Sequence, residues 1–301
     1  MTVDSTGTTQ NLASKLGASI ADYFALLKPR VMSLVVFTGF AGLLVAPGNL
    51  EPLMALVSIL CIAISACAAG AINMWYERDI DSLMERTCNR PIPAGRIAPN
   101  RALVFGIILN ILPILVMGIL LNWVAASLLA FAAAFYIFVY TIWLKRRTPQ
   151  NIVIGGAAGA IPPMIGWASV TGSVNLEALA LFLIIFMWTP PHFWALALYR
   201  DGDYAKAGIP MLPVVSGAKE TRRQILIYTL LLVPLTFLPI ILETAGIFYG
   251  IVTAILGAYF TWLAIQIVRK EDERSAKRLF GFSILYLFVL FAALIIDQIK
   301  L

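Results

Sequence analysis

Three polar side chains stand one helical turn apart at the end of a long apolar stretch of this sequence. Asn73, Glu77 and Asp81 are spaced i, i+4 and i+8, so on an α-helix each side chain is turned only about 40° from the one before. A helix inside a membrane carries such groups only for a function, because an unpaired polar group is expensive there. One amide and two carboxylates are therefore predicted to converge on one helical face.

Oxygen ligands arranged in this way suit Mg²⁺. This ion is typically held by one or two carboxylates and completes its shell with water and substrate phosphate. The alternative is that the carboxylates pair with Arg78, Arg86 or Arg90 at the membrane surface. We favour such pairing for Asp79, which points about 240° away from Asn73 on a helical wheel. For the three aligned residues we favour the metal.

A second acidic stretch, Tyr199 to Pro210, follows another apolar segment. Asp201 and Asp203 supply two further carboxylates, and Arg200 and Lys206 supply cations. The glycines and the proline of the stretch predict irregular backbone rather than a continuing helix. Two acidic stretches on one side of a membrane suit two Mg²⁺ ions about a diphosphate, with Arg and Lys neutralising the remaining charge.

Basic and amide side chains expected at the same level are candidates for contact with the diphosphate. They are Arg30, Arg78, Arg86, Arg90, Lys145, Arg146, Asn151, Arg200 and Lys206. Taken alone, the cluster around Lys145 reflects only the preference of inner loops for positive charge. Asn151 is a polar residue at the start of the next apolar segment, so it is predicted to reach the same pocket.

The elements that must position these residues are membrane spans. Of the 301 residues, 60% are hydrophobic and 13% are charged, and the mean hydropathy is +0.88. These values are typical of a polytopic membrane protein and not of a soluble one. A spanning helix needs roughly 20 apolar residues, and nine segments qualify. They are predicted at residues 31–46, 52–76, 102–121, 123–144, 152–170, 176–198, 225–242, 246–268 and 279–296.

The positive charges predict the orientation. With the N-terminus inside, every Lys and Arg except Lys300 falls in an inner segment, which is 21 of the 22, as expected for cytoplasmic loops. The C-terminus is then outside and both acidic stretches face the cytoplasm. The net charge of +6 is explained without a nucleic-acid partner. Since no Arg-rich presequence is evident, we expect a bacterial inner membrane.

The domain organisation is simple. Residues 1–23 are polar and are predicted to form an N-terminal tail. Residues 24–301 are predicted to form a single polytopic domain that contains all nine spans.

The aligned polar residues, the second acidic loop and the nine spans together resemble the UbiA superfamily of intramembrane prenyltransferases. Three stretches are similar to the branch of that superfamily that acts on haem: NMWYERDIDSLMERTCNRPIPAGR, LKRRTPQNIVIGGAAGAIPP and TPPHFWALALYRDGDYAKAGIPMLP. The resemblance covers the first six spans. It implies an all-α membrane protein that forms a bundle of nine transmembrane helices. The cytoplasmic loops after the second and sixth spans would cap the site.

The resemblance implies transfer of a farnesyl group from farnesyl diphosphate to a vinyl group of haem b, with addition of water, giving haem O and diphosphate. Two Mg²⁺ ions are the implied cofactor, and haem b is a substrate. A haem-modifying or oxidase-assembly protein is the expected partner besides the lipid bilayer. The resemblance also implies metal-binding and catalytic roles for Asn73, Glu77 and Asp81 in a first site and for Asp201 and Asp203 in a second. Glu77 departs from the usual Asp, and its extra methylene moves the carboxylate outward.

The sole histidine of the chain, His192, lies in the sequence TPPHFW. It is interpreted as an axial ligand of haem iron or as a group that orients the porphyrin or the water. Alternatively, it is a buried imidazole that satisfies carbonyls freed by the two preceding prolines. Tyr199 and Tyr204 complete the candidates on the haem side.

Two other functions stay open on the sequence alone. One is prenyl transfer to an aromatic acid, a quinone precursor or a chlorophyll-type acceptor, which needs the same metal site. The other is ion or proton transport through intramembrane carboxylates. The acidic residues cluster at the predicted cytoplasmic ends of helices, which argues against transport.

Overall fold

The part of the chain described by the structure, a computed structural model, is residues 19–299, without the side chains of residues 30, 31 and 299. Within it, every regular element is a helix. The α-helices are α1 (Ile20–Leu26), α2 (Pro29–Val45), α3 (Pro52–Tyr76), α4 (Arg78–Asp81), α5 (Pro99–Leu120), α6 (Trp123–Ala134), α7 (Asn151–Ala160), α8 (Pro162–Thr171), α9 (Leu176–Leu198), α10 (Asp201–Lys206), α11 (Leu212–Leu235), α12 (Leu238–Ile241), α13 (Ile247–Lys270) and α14 (Glu273–Ile299). A π-helix, Phe135–Leu144, continues α6.

Proline and short polar side chains set the starts of the helices. Helices α2, α3, α5, α8 and α11 carry Pro in their first turn, where the missing N–H has no helical partner to lose. Ser19 begins α1 with a reciprocal capping box. The side chains of Asn122 and Asn175 accept backbone hydrogen bonds at the starts of α6 and α9, as N-caps do.

Eight helical segments within residues 19–299 are long and apolar enough to cross a membrane. The chain is an integral multi-pass membrane protein, and large apolar side chains such as Ile119, Phe138 and Ile255 cover its outer faces. The apolar helix Met32–Val45, part of α2, is shorter than these eight. It corresponds to the first predicted span, so the count of nine stays a prediction.

Several predicted boundaries agree with the structure and others are wrong. The spans at 52–76 and 176–198 match α3 and α9. The span predicted at 152–170 agrees with the candidate span Asn151–Thr171 to within one residue at each end. Consecutive prolines, which lack backbone donors, divide this span into α7 and α8 at Ile161. The span predicted to begin at 225 begins at Leu212, with a kink at Gly217 (φ 79°).

Helix is present in the second acidic stretch and in part of the predicted N-terminal tail. Irregular backbone was predicted for residues 199–210, but Asp201–Lys206 forms α10, so that part of the prediction is wrong. Residues 20–23, placed in the polar tail, belong to α1. Residues 1–18 of the predicted tail lie outside the described residues, and the domain boundary stays a prediction.

The packing centres on α9, which lies against α7, α8, α11 and α14. Helix α3 packs along α5, and α2 packs along α8. A Cβ on Gly42 would lie 2.1 Å from the carbonyl oxygen of Pro163, and one on Gly166 would lie 2.0 Å from that of Gly39. Helices α2 and α8 therefore meet backbone to backbone, as small residues allow in membrane bundles.

Candidate active site

The three aligned polar residues occupy the junction between α3 and α4. Asn73 lies in the last turn of α3, Glu77 separates the two helices, and Asp81 ends α4. Backbone hydrogen bonds run from Glu77 to Asn73 (2.9 Å) and from Asp81 to Glu77 (2.8 Å), so the helical spacing continues across the junction. The three residues are only 3, 2 and 0% exposed. Each therefore needs a polar partner inside the protein.

Asp81 is held by the loop that follows it. Nη1 of Arg90 donates to both carboxylate oxygens, at 2.8 and 2.7 Å. The hydroxyl of Thr87, which is fully buried, donates to the backbone carbonyl of Asp81 at 2.8 Å. The loop after α4 thus folds back over the carboxylate.

Glu77 meets the end of the π-helix. Nζ of Lys145 lies 2.5 Å from Oε1 of Glu77. The backbone N–H of Lys145 bonds to the carbonyl of Tyr140, five residues back, and the ammonium group lies 5.7 Å from the centre of the Tyr140 ring. This wide turn, rather than a regular α-helix, presents Lys145 to the site, and π-helical turns are frequent at functional sites.

Asn73 has two partners that were not singled out from the sequence. Nζ of Lys28 donates to its amide oxygen at 3.0 Å, and its amide nitrogen donates to the hydroxyl of Thr141 at 3.2 Å. Lys28 lies between α1 and α2 in a left-handed conformation (φ 50°), which is uncommon without glycine. Removal from water, reinforced by the charge of Arg90, lowers the pKa of Lys28 to about 7. In the sequence, Thr141 could have been identified as a candidate by its hydroxyl group within an otherwise apolar segment.

Two predicted diphosphate ligands face elsewhere. Arg146 donates to both oxygens of Asp79, at 2.8 and 2.7 Å, and holds the pKa of that carboxyl below its usual value. Arg78 donates to the carbonyl of Trp75 at 2.8 Å. The pairing favoured for Asp79 is present, with Arg146 as the partner in place of the three arginines considered.

The second acidic loop is more open. Asp201 is exposed and accepts a hydrogen bond from the N–H of Gly202 at 2.8 Å, while Asp203 is half-buried. Within residues 19–299 no three His, Cys, Asp or Glu side chains are grouped to hold a metal. A two-metal arrangement therefore stays a prediction.

The two loops nevertheless lie at the same end of the bundle. Ile80 and Met84 of the first loop and Ile209 and Met211 of the second are all buried in the bundle core. Burial raises the pKa of Tyr199, and the charges of Arg200 and of Arg86, from the first loop, oppose this shift. Tyr140 lies within electrostatic range of both Glu77 and Tyr204.

The remaining predicted ligands differ in burial. Asn151 is fully buried, its amide nitrogen donates to the carbonyl of Thr148 at 2.6 Å, and its oxygen has no hydrogen-bond partner. Lys206 is exposed. The side chain of Arg30 lies outside the described residues.

His192 is enclosed by aromatic rings. Its Nδ1 lies 2.6 Å from Oγ of Ser283, and its ring stacks on Trp188 (4.3 Å) and Phe280 (4.7 Å). The interpretation that it satisfies carbonyls freed by the prolines is wrong, because its hydrogen-bond partner is a hydroxyl group of α14.

The sequence profile of the UbiA prenyltransferase family matches residues 35–293. The chain belongs to the UbiA prenyltransferase family. Among curated relatives of this UbiA prenyltransferase, the protoheme IX farnesyltransferase of Parvibaculum lavamentivorans is 63% identical, over 93% of this chain and 89% of that one. That of Acidiphilium cryptum is 56% identical, over 95% and 93%.

Solved structures show the same fold. A digeranylgeranylglyceryl phosphate synthase matches this UbiA prenyltransferase with a TM-score of 0.78 and 22% identity, over 94% of this chain and 99% of that one. A UbiA homologue from Archaeoglobus fulgidus bound to DMAPP and Mg²⁺ matches with a TM-score of 0.66 and 17% identity, over 90% and 99%.

The charges at the first site of this UbiA prenyltransferase fit a diphosphate and a hard cation. Arg90 and Lys145 balance the carboxylates of Glu77 and Asp81. Lys28 adds a third cation when it is protonated, and a bound anion would favour that protonated form. Oε1 of Glu77 is buried without an aligned hydrogen bond, even though Lys145 is close. A buried oxygen in that state fits Mg²⁺, which binds oxygen ligands.

Proposed function

We propose that this UbiA prenyltransferase transfers a farnesyl group from farnesyl diphosphate to a vinyl group of haem b, with addition of water, and releases haem O and diphosphate. The observation that carries the proposal is the 63% identity, over 93% of the chain, to a protein named protoheme IX farnesyltransferase. The buried cation-rich site at the end of α3 supports it, because a prenyl diphosphate needs such a site for its leaving group.

The proposed diphosphate site is built from cations of three separate segments. Lys28 precedes α2, Arg90 lies in the loop after α4, and Lys145 ends the π-helix. Each holds an oxygen of Asn73, Asp81 or Glu77. When the diphosphate is bound, the three cations would contact it in place of these oxygens, and the oxygens would then be free to bind Mg²⁺. The bound ion would add positive charge beside the leaving group. Asp201 and Asp203 are proposed ligands of a second ion.

The site residues favour ionisation of the substrate. The allylic C–O bond breaks, its electron pair goes to the diphosphate, and the cations stabilise the charge that develops there. The vinyl group of haem b then attacks the farnesyl cation. Water captures the new cation beside the porphyrin, and a proton leaves from that water. The apolar surroundings keep water from the first cation until the carbon–carbon bond has formed.

The proposal is tested with purified protein in the presence of Mg²⁺, farnesyl diphosphate and haem b under reducing conditions. The extracted haems are separated by chromatography and identified by mass. Farnesylated haem is expected, and its absence from folded protein would reject the proposal. Prenylation of an aromatic acid offered in the same assay, with haem left unchanged, would instead favour the aromatic-acceptor alternative.

The metal role of Asp81 is tested separately. We expect Asp81→Asn to abolish turnover and to weaken diphosphate binding, because a neutral amide is a poorer ligand for Mg²⁺ than a carboxylate. Full activity of this variant would exclude a required metal ligand at the position.

For orientation we propose a bacterial inner membrane with the active site and the N-terminus in the cytoplasm and the C-terminus outside. Lys206 and Ser173 are exposed and lie beyond opposite ends of α9. In a variant that lacks the three native cysteines, an impermeant thiol reagent applied to intact spheroplasts should label Ser173→Cys and spare Lys206→Cys. The reverse pattern would invert the proposed orientation.

For the product we propose a haem-modifying or oxidase-assembly protein as the acceptor. Haem O is too apolar to cross water readily, so a direct contact in the membrane is expected. Cross-linking in native membranes during turnover should capture such a protein, and capture that does not depend on turnover would argue against transfer of the product.

A further inference from the structure

His192 is held so that only the edge of its ring is available. Trp188 and Phe280 cover the two faces, with interplanar angles of 17 and 23°. Phe193 adds an edge contact at 5.1 Å. The residue is 9% exposed, so the accessible part of the ring is limited to its rim.

Ser283 determines which ring nitrogen carries the proton. Its Oγ lies 2.6 Å from Nδ1 of His192 and 2.6 Å from the carbonyl oxygen of Phe280. A carbonyl only accepts, so the single hydroxyl proton of Ser283 must point to Phe280. Both contacts are then hydrogen bonds only if Nδ1 of His192 is protonated and donates to Ser283.

The indole of Trp188 also helps to fix the position of Ser283. Its Nε1 donates to the backbone carbonyl of Ser283 at 2.8 Å, while its ring lies on His192. Helix α9 therefore contacts Ser283 through both its hydroxyl and its carbonyl, and the serine has little freedom to turn away.

The other ring nitrogen is left with its lone pair. No hydrogen bond between Nε2 of His192 and a described residue is seen, whereas Nδ1 is engaged by Ser283. The residue as a whole keeps 9% of its surface exposed. Protonation of Nε2 as well would place a charged imidazolium in the buried interior of a membrane protein, which is costly. A neutral ring with a free Nε2 is the form that binds iron.

We propose that Ser283 is a positioning residue that holds His192 as the Nδ1-protonated tautomer and so presents Nε2 as a ligand to the iron of haem b. This inference rests on the proposed function for the identity of the haem. The tautomer itself does not depend on that function. A hydrogen bond to the far nitrogen is the usual way in which proteins orient a metal-binding histidine.

The tautomer is measured directly, because His192 is the only histidine of the chain. Protein labelled with ¹⁵N-histidine and purified through a histidine-free tag gives one pair of ring-nitrogen signals by NMR. We expect the proton on Nδ1 in the native protein and in Ser283→Thr, which keeps the hydroxyl. Ser283→Ala should shift the ring towards the Nε2-protonated form. A native Nε2-protonated ring, or an unchanged ring in Ser283→Ala, would overturn the proposal.

The iron contact is measured by titrating the protein with haem b and following the Soret band. The native protein and Ser283→Thr should show a histidine-ligated spectrum, which His192→Ala should lose. Loss of such an orienting hydrogen bond typically weakens metal binding about 10- to 100-fold, and we expect this in Ser283→Ala. Ser169→Ala is the matched control, since Ser169 is a buried serine that donates to the carbonyl of Ile165 at 2.8 Å.

The two measurements separate the inference from the proposed function. Farnesylated haem with an identical Soret band in native protein and His192→Ala would overturn the iron contact and leave the proposed function standing. A histidine-ligated spectrum that depends on Ser283, without any farnesylated product, would uphold the iron contact and reject the transferase function. An equal loss of haem binding in Ser169→Ala would reduce Ser283 to a structural role and overturn the inference.

Discussion

At the scale of single residues, the site depends on ion pairs between buried carboxylates and nearby cations. Asp81 is fully buried and has Arg90 as its cation, whereas the side chain of Asp79, two residues earlier, is 60% exposed and has Arg146. A buried carboxylate that loses its partner cannot be rescued by solvent. Arg90 uses one nitrogen for both oxygens of Asp81, and Arg146 uses two nitrogens for those of Asp79. The larger difference between the pairs is burial, which is therefore expected to dominate their difference in energy.

Arg90→Ala is therefore predicted to lower the free energy of unfolding by about 3–5 kcal/mol, the typical cost of leaving a buried charge unpaired. Arg146→Ala should cost less than about 1 kcal/mol, because exposed pairs contribute little. Thermal unfolding in detergent compares the two variants. Equal shifts would contradict the prediction, and Arg90→Ala combined with Asp81→Ala should recover part of the loss, since the unpaired charge is then gone.

At the scale of elements, the contact between the π-helix and α7 positions Lys145. The ring of Tyr140 has its centre 5.7 Å from the ammonium nitrogen of Lys145 and packs against Gly155 of α7. A Cβ on Gly155 would lie 2.2 Å from Cδ2 of Tyr140, whereas one on Gly159, one helical turn later, would meet nothing within 4 Å. The two glycines therefore provide a test position and a control position in the same helix.

Gly155→Ala is predicted to displace the Tyr140 ring and, through it, the ammonium group of Lys145. We expect a loss of about 1–3 kcal/mol in unfolding free energy, as for overpacked sites, together with weaker diphosphate binding. Gly159→Ala should be neutral or stabilising by up to about 1 kcal/mol, because alanine lowers the entropy of the unfolded chain. Thermal unfolding and farnesyl diphosphate titrations check both variants, and similar behaviour of the two would refute the packing argument.

At the scale of the whole molecule, α14 links the site to the opposite end of the bundle. Lys277, near its start, lies 5.6 Å from the ring of Tyr199. Asp297, near its end, is 6% exposed and accepts the backbone N–H groups of Gly246 and Tyr249 at the start of α13. Twenty residues of helix, about 30 Å, separate Lys277 from Asp297.

Asp297→Ala is predicted to destabilise the bundle without changing the site. Loss of an acceptor at a helix start typically costs about 0.5–2 kcal/mol, so thermal unfolding should begin at a lower temperature. The KM for farnesyl diphosphate should stay unchanged, because no contact of Asp297 reaches the site. Asp297→Asn keeps an oxygen acceptor and should lose less. A raised KM in Asp297→Ala would show that the two ends are coupled.

The amino-acid sequence alone was sufficient for most of the membrane spans and for the residues of the first acidic stretch. The spans are defined by runs of apolar residues, which are local, and three of them match the structure residue for residue. The spacing of Asn73, Glu77 and Asp81 is also local, so it indicated a shared helical face before any fold was known.

The partners of these residues depended on the fold. Lys28 reaches Asn73 from 45 residues away, and Thr141 from 68, and no local pattern encodes such distances. The π-helix lacks a sequence signature that distinguishes it from an α-helix, because the same apolar residues suit both. Ser283 comes to His192 only through the packing of α9 against α14. Local sequence patterns thus specified which groups carry charge. Tertiary packing decided which of those groups form pairs, because it brings together helices that are distant in the sequence.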